Sequence, residues 1–440
     1  MSTWSDHAIW WQLHPISFLD GEPSALDAAA PPVHRLGGLV AWLDYVVELG
    51  CNGLALGPIF ASESHGYDTV DHYRIDSRLG TDQDFDDLVA ACHQRGVKLL
   101  LDGVFNHVGR GFAAFQDVLT QRGSSGYLPW FRIDLEADGP DGFGYADFEG
   151  HHNLVALNHD EPKVQEYVAG VMSHWLARGA DGWRLDAAYA MPLAFWRRVT
   201  ELVRRDHPDA WLVGEVIHGD YSGFVQDGGL DSVTQYELWK AIWGGLNDRN
   251  FFELAHALGR HDEFAAEFRP LTFLGNHDVT RLASKLDDPR HVAAALAVLF
   301  TVAGTPSIYA GDEQGFQGVK YDRADGDAQV RPAFGATPAE LAPYGWPTYR
   351  LHQDLIGLRR RHPWLIRAQS QVLHLANETL AYRCVDPDGG PGLAVLLNIS
   401  DQEFSFPLEG LQVKRLLGSP ETGAAEWVDA HGWAILEIQH

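Results

Sequence analysis

The sequence predicts an α/β protein: a parallel (β/α)8 barrel with an inserted domain after its third strand and an antiparallel β domain at its end. Two observations predict it. Strand-like runs alternate with helix-like ones from Ile9 to about Tyr309, and several strands stay apolar to their last residue and then present a carboxylate or imidazole. Strands buried on both faces read as near-continuous apolar runs, and a parallel barrel carries its reactive groups at the C-terminal rim. The segments concerned are Asp102-Gly-Val-Phe-Asn106-His107, Gly182-Trp-Arg184-Leu-Asp186, Gly214-Glu215 and Gly275-Asn-His277-Asp278. Three follow apolar runs of strand length: Val97 to Leu101, Trp211 to Val213 and Leu271 to Leu274.

The elements follow in order. Ala8 to Leu13 reads as the first strand and Leu36 to Leu49 as a helix, with Leu39, Trp42, Val46 and Leu49 on one 3.6-period stripe. Gly53 to Leu56 is a second strand, Asp84 to Arg95 a helix and Lys98 to Leu101 a third strand. A stretch rich in Gly, Phe, Tyr and Trp then runs from Val108 to Asn153, too long for an ordinary connection. Alternation resumes with helix 161–178, strand 182–185, helix 192–206, strand 211–214, strand 231–236, helix 250–259, strand 271–274, helix 289–303 and strand 306–309. A helix near Tyr349 to Arg361 follows, and then short strands at Gln371–His374, Leu380–Val385, Leu393–Asn398, Glu403–Pro407 and Trp433–Ile438. The expected division is 1–107 and 154–365 for the two parts of the barrel, 108–153 for the insertion and 366–440 for the β domain.

Composition bounds the function. A net charge of −27, from 60 acidic against 33 basic residues, argues against a nucleic-acid partner and does not repel a neutral sugar. The N-terminus lacks a basic region followed by an apolar one, and no apolar run reaches the ~18 residues of a membrane span. Cys51, Cys92 and Cys384 are odd in number and widely spaced, as in a reduced cytoplasmic protein.

The polar residues at the strand ends suit cleavage of a glycosidic bond with retention, which takes an ionised nucleophilic carboxylate and a protonated acid about 5–5.5 Å apart. Arg184 and Asp186 lie two apart on one strand face, so the guanidinium is expected to lower the Asp186 pKa. Glu215 sits among Leu212, Val213 and Val216, where partial desolvation suits a general acid. Asp278 can bridge sugar hydroxyls and stabilise positive charge on the ring, while His107 and His277 bond hydroxyls. The alternating His65, Asp68, Asp71 and His72 lack defined ligand spacing, so no metal site is expected there.

The chain resembles the α-amylase superfamily of retaining glycoside hydrolases (family 13). The resemblance rests on those segments together with Gly50-Cys-Asn-Gly-Leu-Ala-Leu-Gly-Pro58-Ile-Phe60 and His65-Gly-Tyr67-Asp68-Thr-Val-Asp-His-Tyr. It implies Asp186 as nucleophile, Glu215 as acid/base and Asp278 as transition-state stabiliser, with Arg184, His107 and His277 on the non-reducing-side sugar and Tyr67 stacked beneath it. The insertion would be the family's domain B and the β tail its domain C. Ala114-Phe115-Gln-Asp-Val118, Tyr127, Trp130-Phe-Arg-Ile133, Gly214-Glu-Val-Ile-His218 and Gly311-Asp-Glu313 resemble the cyclomaltodextrinase, neopullulanase and maltogenic amylase branch. That branch cleaves α-1,4 bonds, and in some members α-1,6 bonds, in small cyclic or linear maltodextrins. Hydrolysis of cyclomaltodextrins or of cyclic maltosyl-maltose would fit.

Three departures shape the expectation. The barrel begins almost at residue 8, without the N-terminal β domain usual in that branch, so monomer and homodimer both stay open. Ala187-Ala-Tyr189-Ala190 replaces both the Val-Ala-Asn-Glu of the branch and the Lys-His of typical α-amylases, which calls the amylase calcium site into doubt despite Asn106. No cofactor is required. Ser64 stands where exo-acting α-glucosidases often carry an Asp, which points to an endo or maltose-releasing mode. Arg331 stands where the branch contacts a second sugar, with a structural salt bridge as the alternative, and Tyr189 and His218 are expected to line the product side. The competing functions are transglycosylation, an α-glucosidase, a metal-dependent barrel hydrolase and a non-catalytic amylase-like binding protein. The last class loses one or more of the three carboxylates, and all three are present.

Overall fold

Period-two alternation sorts the side chains of each barrel strand between two cores, and this positions the site. The computed structural model describes residues 4–27, 29–323, 326–419 and 423–439. Eight parallel strands form the barrel: β1 (Trp10–Leu13), β2 (Gly53–Leu56), β3 (Lys98–Gly103), β4 (Gly182–Leu185), β5 (Trp211–Gly214), β6 (Ser232–Val233), β7 (Leu271–Phe273) and β8 (Thr305–Tyr309). Neighbours pair in the order β6-β5-β4-β3-β2-β1-β8-β7. The ring closes where Thr234 bridges Leu271 and the Gln235 N–H donates to the Leu271 carbonyl at 2.9 Å.

Outward-facing Trp11, Leu13, Leu54, Leu99, Leu101, Trp183, Leu185 and Leu212 pack against the helices in the main core. Inward-facing Trp10, Ala55, Leu100, Trp211, Val213 and Leu271 fill the barrel's lower interior. Two of these are indoles, Trp10 and Trp211, stacked at 5.3 Å between centroids. Gly53 makes room for them, since a β-carbon there would meet the Trp10 ring at 2.3 Å. Two residues further along each strand, the same inward face carries Asp102 after Leu100, Arg184 after Gly182 and Glu215 after Val213. The polar site is thus the top layer of an otherwise apolar barrel.

The helices largely follow the sequence pattern. The stretch Leu36–Leu49 opens as a 3₁₀ turn over Leu36–Leu39 and continues as a helix over Val40–Leu49, ended by Gly50 at φ 101°. Helix Asp82–Gln94 starts in a capping box between Thr81 and Asp84. Between β6 and β7 the structure departs from expectation. The strand expected over 231–236 ends at Val233, and an unforeseen helix, Tyr236–Asn247, precedes a longer one, Phe252–Glu267. The Gln235 side chain caps the new helix by accepting from the Leu238 N–H at 3.3 Å. Leu238, Ala241, Ile242 and Leu246 form its buried stripe, which Gly244-Gly245 interrupts in the sequence.

The stretch after β3 folds as a sheet of His107–Gly109, His151–Ala156 and Asp147–Phe148, with helix Ala113–Gln121 and a short hairpin, Ile133–Asp134 with Gly144–Tyr145. The chain ends in a five-stranded antiparallel sheet ordered Gln369–Leu375, Thr379–Val385, Leu393–Asn398, Trp433–Gln439, Gln412–Gly418. The last of these was not foreseen; it is an edge strand carrying Lys414 and Arg415, and edge strands are commonly charged rather than apolar. No helix among the described residues is long and apolar enough to cross a membrane.

Just after β8, Glu313 is fully buried and accepts from the Tyr45 hydroxyl at 2.8 Å and the Gly311 N–H at 2.9 Å. Burial pushes its carboxyl up from 4.5 to about 7, against the hydrogen bond from Tyr45. Between those values the folded chain holds a proton that the unfolded chain has released. Its contribution to stability is therefore complete below pH 4.5 and is lost as pH rises toward 7. Glu313→Gln, a neutral isostere of the protonated acid, is expected to gain about 3 kcal/mol relative to wild type across that interval. Denaturant melts of both proteins at several pH values check this, and parallel stability curves would refute it.

Candidate active site

Each charged side chain at the rim arrives from a strand whose register fixes its neighbours. Arg184 of β4 lies level with Asp102 of β3, and the Asp186 N–H beyond β4 still donates to the Gly103 carbonyl at 3.0 Å. Glu215 follows β5, its N–H donating to the Leu185 carbonyl at 2.9 Å. The result is one buried guanidinium gripped by three carboxylates. Arg184 Nη1 lies 2.8 Å from Asp102 Oδ1 and 2.8 Å from Asp186 Oδ1, while Nη2 lies 2.7 Å from Glu215 Oε1. The Ala187 N–H donates to Glu215 Oε2 at 3.0 Å, from a residue held at φ 45° in the left-handed region.

The electrostatics correct one expectation. Burial pushes Asp186 well above the usual carboxylate range, and Arg184 opposes this without cancelling it. Asp102 is raised for the same reason. The guanidinium is divided among three acids, so full ionisation would leave two uncompensated negative charges in a dry pocket. Asp186 and Asp102 are therefore both held above the usual carboxylate range.

Asp278, after β7, has the opposite setting. It is 30% exposed, its Oδ2 lies 2.9 Å from His277 Nε2 and its Oδ1 lies 2.6 Å from Arg331 Nη2. Burial would raise its pKa, but His277, Arg331 and Arg184 together hold it well below the carboxylate range. Two groups of acids on one rim thus have pKa values driven apart.

Tyr67 lies between these groups. Its hydroxyl donates to Asp102 Oδ2 at 3.0 Å and contacts His277 Nε2, and its ring stacks on the His277 ring at 5.5 Å with 4° between planes. Both ring nitrogens of His107 are engaged, Nε2 with the Tyr67 carbonyl at 3.0 Å and Nδ1 with the Asn106 amide at 3.2 Å. A cavity of about 490 Å³ lies beside Tyr67 and Arg331, lined also by His14, Ser17, Ser64, His65 and Asp327. Arg331 is ion-paired to Asp278 and to Asp327, the latter at 2.8 Å, and donates from Nε to the His277 carbonyl at 2.9 Å, while also lining the cavity. On the other side of Glu215, the Tyr189 N–H donates to the Glu215 carbonyl at 3.3 Å, and its ring lies 5.8 Å from that of exposed His218.

The sequence reading missed several members of this network. The Tyr236 hydroxyl donates to Glu215 Oε1 at 3.2 Å and accepts from Asn276 Nδ2 at 2.9 Å. Gln12 Nε2 lies 3.3 Å from His277 Nδ1, and His14 follows β1 into the cavity wall. His14 carries the same strand-end signal as the other segments, whereas Tyr236 lay hidden in a stretch read as strand. His65, Asp68, Asp71 and His72 do not converge: His72 bonds the Val104 carbonyl and Tyr167, while Asp68 caps Ser64. Trp130 and Phe131 are packing residues, against Tyr167 and Phe115 respectively.

A barrel with three such carboxylates at the C-terminal rim is the scaffold of a glycoside hydrolase, and comparison with known proteins agrees. Residues 12–346 match the family described as alpha amylase, catalytic domain, so the chain belongs to the α-amylase family of glycoside hydrolases. Among its relatives, neopullulanase 2 of Thermoactinomyces vulgaris is 34% identical over 97% of this chain and 73% of its own length. A cyclomaltodextrinase of Geobacillus thermopakistaniensis is 30% identical over 92% of this chain and 71% of its own. Among solved structures, the cyclic α-maltosyl-(1→6)-maltose hydrolase of Arthrobacter globiformis superposes with a TM-score of 0.82 at 27% identity, each chain covered over 100% of its length.

Proposed function

We propose that the chain is a retaining hydrolase of α-1,4 and also α-1,6 glucosidic bonds in small cyclic, branched or linear maltooligosaccharides, releasing maltose. The observation that carries this reading is geometric: Asp186 and Glu215, from adjacent strand ends, converge on the one buried guanidinium of Arg184 together with Asp102. In this mechanism Asp186 attacks the anomeric carbon while Glu215 gives its proton to the departing glycosidic oxygen. The C–O bond breaks and a sugar ester of Asp186 forms. Water then yields a proton to Glu215 and its oxygen to the same carbon, freeing Asp186. Asp278, held ionised by His277 and Arg331, stabilises the positive charge that grows on the ring. Tyr67 stacks beneath the sugar, with His107, Arg184 and His277 around it and Arg331 beside the next one. Tyr189 and His218 line the product side, and the names of the relatives support the substrate class.

No calcium is required in this reading. The donors that would hold one are poor: Asn106 turns its amide nitrogen to His107 Nδ1, and Ala187 and Ala188 carry methyl groups. We place the enzyme in the cytoplasm, since relatives from Bacillus subtilis are named intracellular maltogenic amylases and Cys51, Cys92 and Cys384 are buried free thiols.

Incubating exhaustively chelated protein with cyclomaltodextrins, cyclic maltosyl-maltose, pullulan and maltotetraose is expected to give maltose at full rate, with the α-anomer first by NMR. Cleavage of none of these, β-anomer product or loss of activity on chelation would overturn the corresponding claim. Asp186→Asn and Glu215→Gln should each lower kcat at least about a hundredfold, and wild-type rates in both would sink the assignment. Tyr236 acts as a positioning residue through Glu215. Tyr236→Phe is expected to lower kcat roughly tenfold at nearly constant KM and to displace the alkaline limb of the pH–rate profile; an unmoved profile would reduce Tyr236 to packing.

A further inference from the structure

At the junction between the barrel and the C-terminal sheet two imidazoles and a carboxylate converge. Asp288 caps the 3₁₀ turn Pro289–His291 that leads into helix Val292–Thr301, His291 ends that turn, and His431 sits in the turn before strand Trp433–Gln439. His291 Nε2 lies 3.0 Å from His431 Nδ1, Asp288 Oδ2 lies 3.8 Å from that same Nδ1, and all three ligand atoms fall within 4.8 Å of one another. Among the described residues this is the group of His, Cys, Asp and Glu so arranged. A tetrahedral ion with bonds near 2.0–2.1 Å separates its ligand atoms by about 3.3 Å, between the two distances found.

We propose that Asp288, His291 and His431 form a zinc-class site that clamps the C-terminal sheet to the barrel. Two further features support it. Asp401 Oδ1 lies 2.9 Å from His431 Nε2, the hydrogen bond that fixes the proton on Nε2 and leaves the Nδ1 lone pair facing His291. A carboxylate behind a ligating imidazole is the usual outer support of a metal-bound histidine. His431 is also held at φ 56°, in the left-handed region that a histidine enters at a cost, by a hydrogen bond from its N–H to the Ser400 carbonyl at 3.2 Å. That backbone turns its ring inward, leaving the side chain 5% exposed. Arg290 donates to both oxygens of Asp288, at 3.0 Å to Oδ1 and 2.5 Å to Oδ2, and Arg249 pairs with Asp401, so Asp288 would bind through a remaining lone pair of Oδ2 with the fourth position for water. Two imidazoles and one carboxylate favour zinc over calcium or magnesium, which take oxygen.

The alternative is a plain relay in which the His291 Nε2–H donates to His431 Nδ1 with no ion. Tag-free full-length protein, stripped by chelation and titrated with zinc chloride by calorimetry and thermal melting, separates the two. Wild type is expected to bind one equivalent at this site and to melt several degrees higher with zinc in hundredfold excess over its dissociation constant. His431→Asn, which tolerates the left-handed backbone, and His291→Gln are expected to lose that equivalent and the shift while keeping wild-type turnover below their melting points. If wild type shows no zinc-dependent shift, or if either folded variant binds and shifts as wild type does, the relay is correct and the site is not a metal site. Failure of the glycosidase assays would leave this result unaffected.

Discussion

A single cation buried in the top layer of the barrel, Arg184, is the constraint around which the site is organised. Its charge is divided among Asp102, Asp186 and Glu215, which together hold the buried guanidinium in place. The arrangement depends on strand register. A one-residue slip between β3 and β4 would turn Asp102 outward into the helical core and replace it with Leu101. The apolar layer below, with Trp10 stacked on Trp211, prevents that slip by filling the interior with side chains of fixed facing. Packing at the bottom of the barrel and charge at its top are thus one design, and burial with an excess of acid over base in that layer holds Asp186 and Asp102 above the usual carboxylate range.

The second acidic centre is assembled differently. Asp278 answers to Arg331 and His277, and Tyr67 ties the two centres together by contacting Asp102 and His277 at once. Tyr67 rides on a loop that would be mobile without support, and buried Arg78 supplies it. Its guanidinium grips Asp76 at 2.7 Å, the Ser62 hydroxyl at 2.7 Å and the Ser64 carbonyl. The Tyr67 ring is therefore fixed by an ion pair more than one turn of chain away. Rigidity of this sort lets a neutral ligand be recognised through stacking and hydroxyl contacts without a strong net field.

The barrel was legible because burial on both faces leaves apolar runs, and because a polar residue after such a run has few structural reasons to be there. That logic found Asp102, Arg184, Asp186, Glu215 and Asp278, and the same logic applied to β1 would have found His14. It failed between β6 and β7. Thr234, Gln235 and Tyr236 have strand-like composition, and only the three-dimensional position of the Gln235 side chain as a cap turns the chain into a helix there. Tyr236 was lost with it. The pKa of Asp186 was misread for a related reason, since sequence spacing reveals that Arg184 is adjacent but not that two other acids compete for it. Pairwise proximity is visible along a strand; the sharing of one charge across three strands is not.

The loop after β4, beside Glu215, is built with few side chains. Ala187 reaches the left-handed region and directs its N–H to Glu215, so a backbone group does a task that needs no side chain. Small residues at 187, 188 and 190 therefore cost the acid nothing in support while removing bulk next to it. What remains there is Tyr189, tethered through its hydroxyl to Glu149 at 3.2 Å, with His218 against its ring. Glu149 belongs to the segment inserted after β3 and is itself held at φ 53°. That inserted segment thus meets the loop after β4 beside Glu215 through this one polar contact. The pocket around Glu215 is therefore bounded on one side by ion-paired rim residues and on the other by a single tyrosine–glutamate contact.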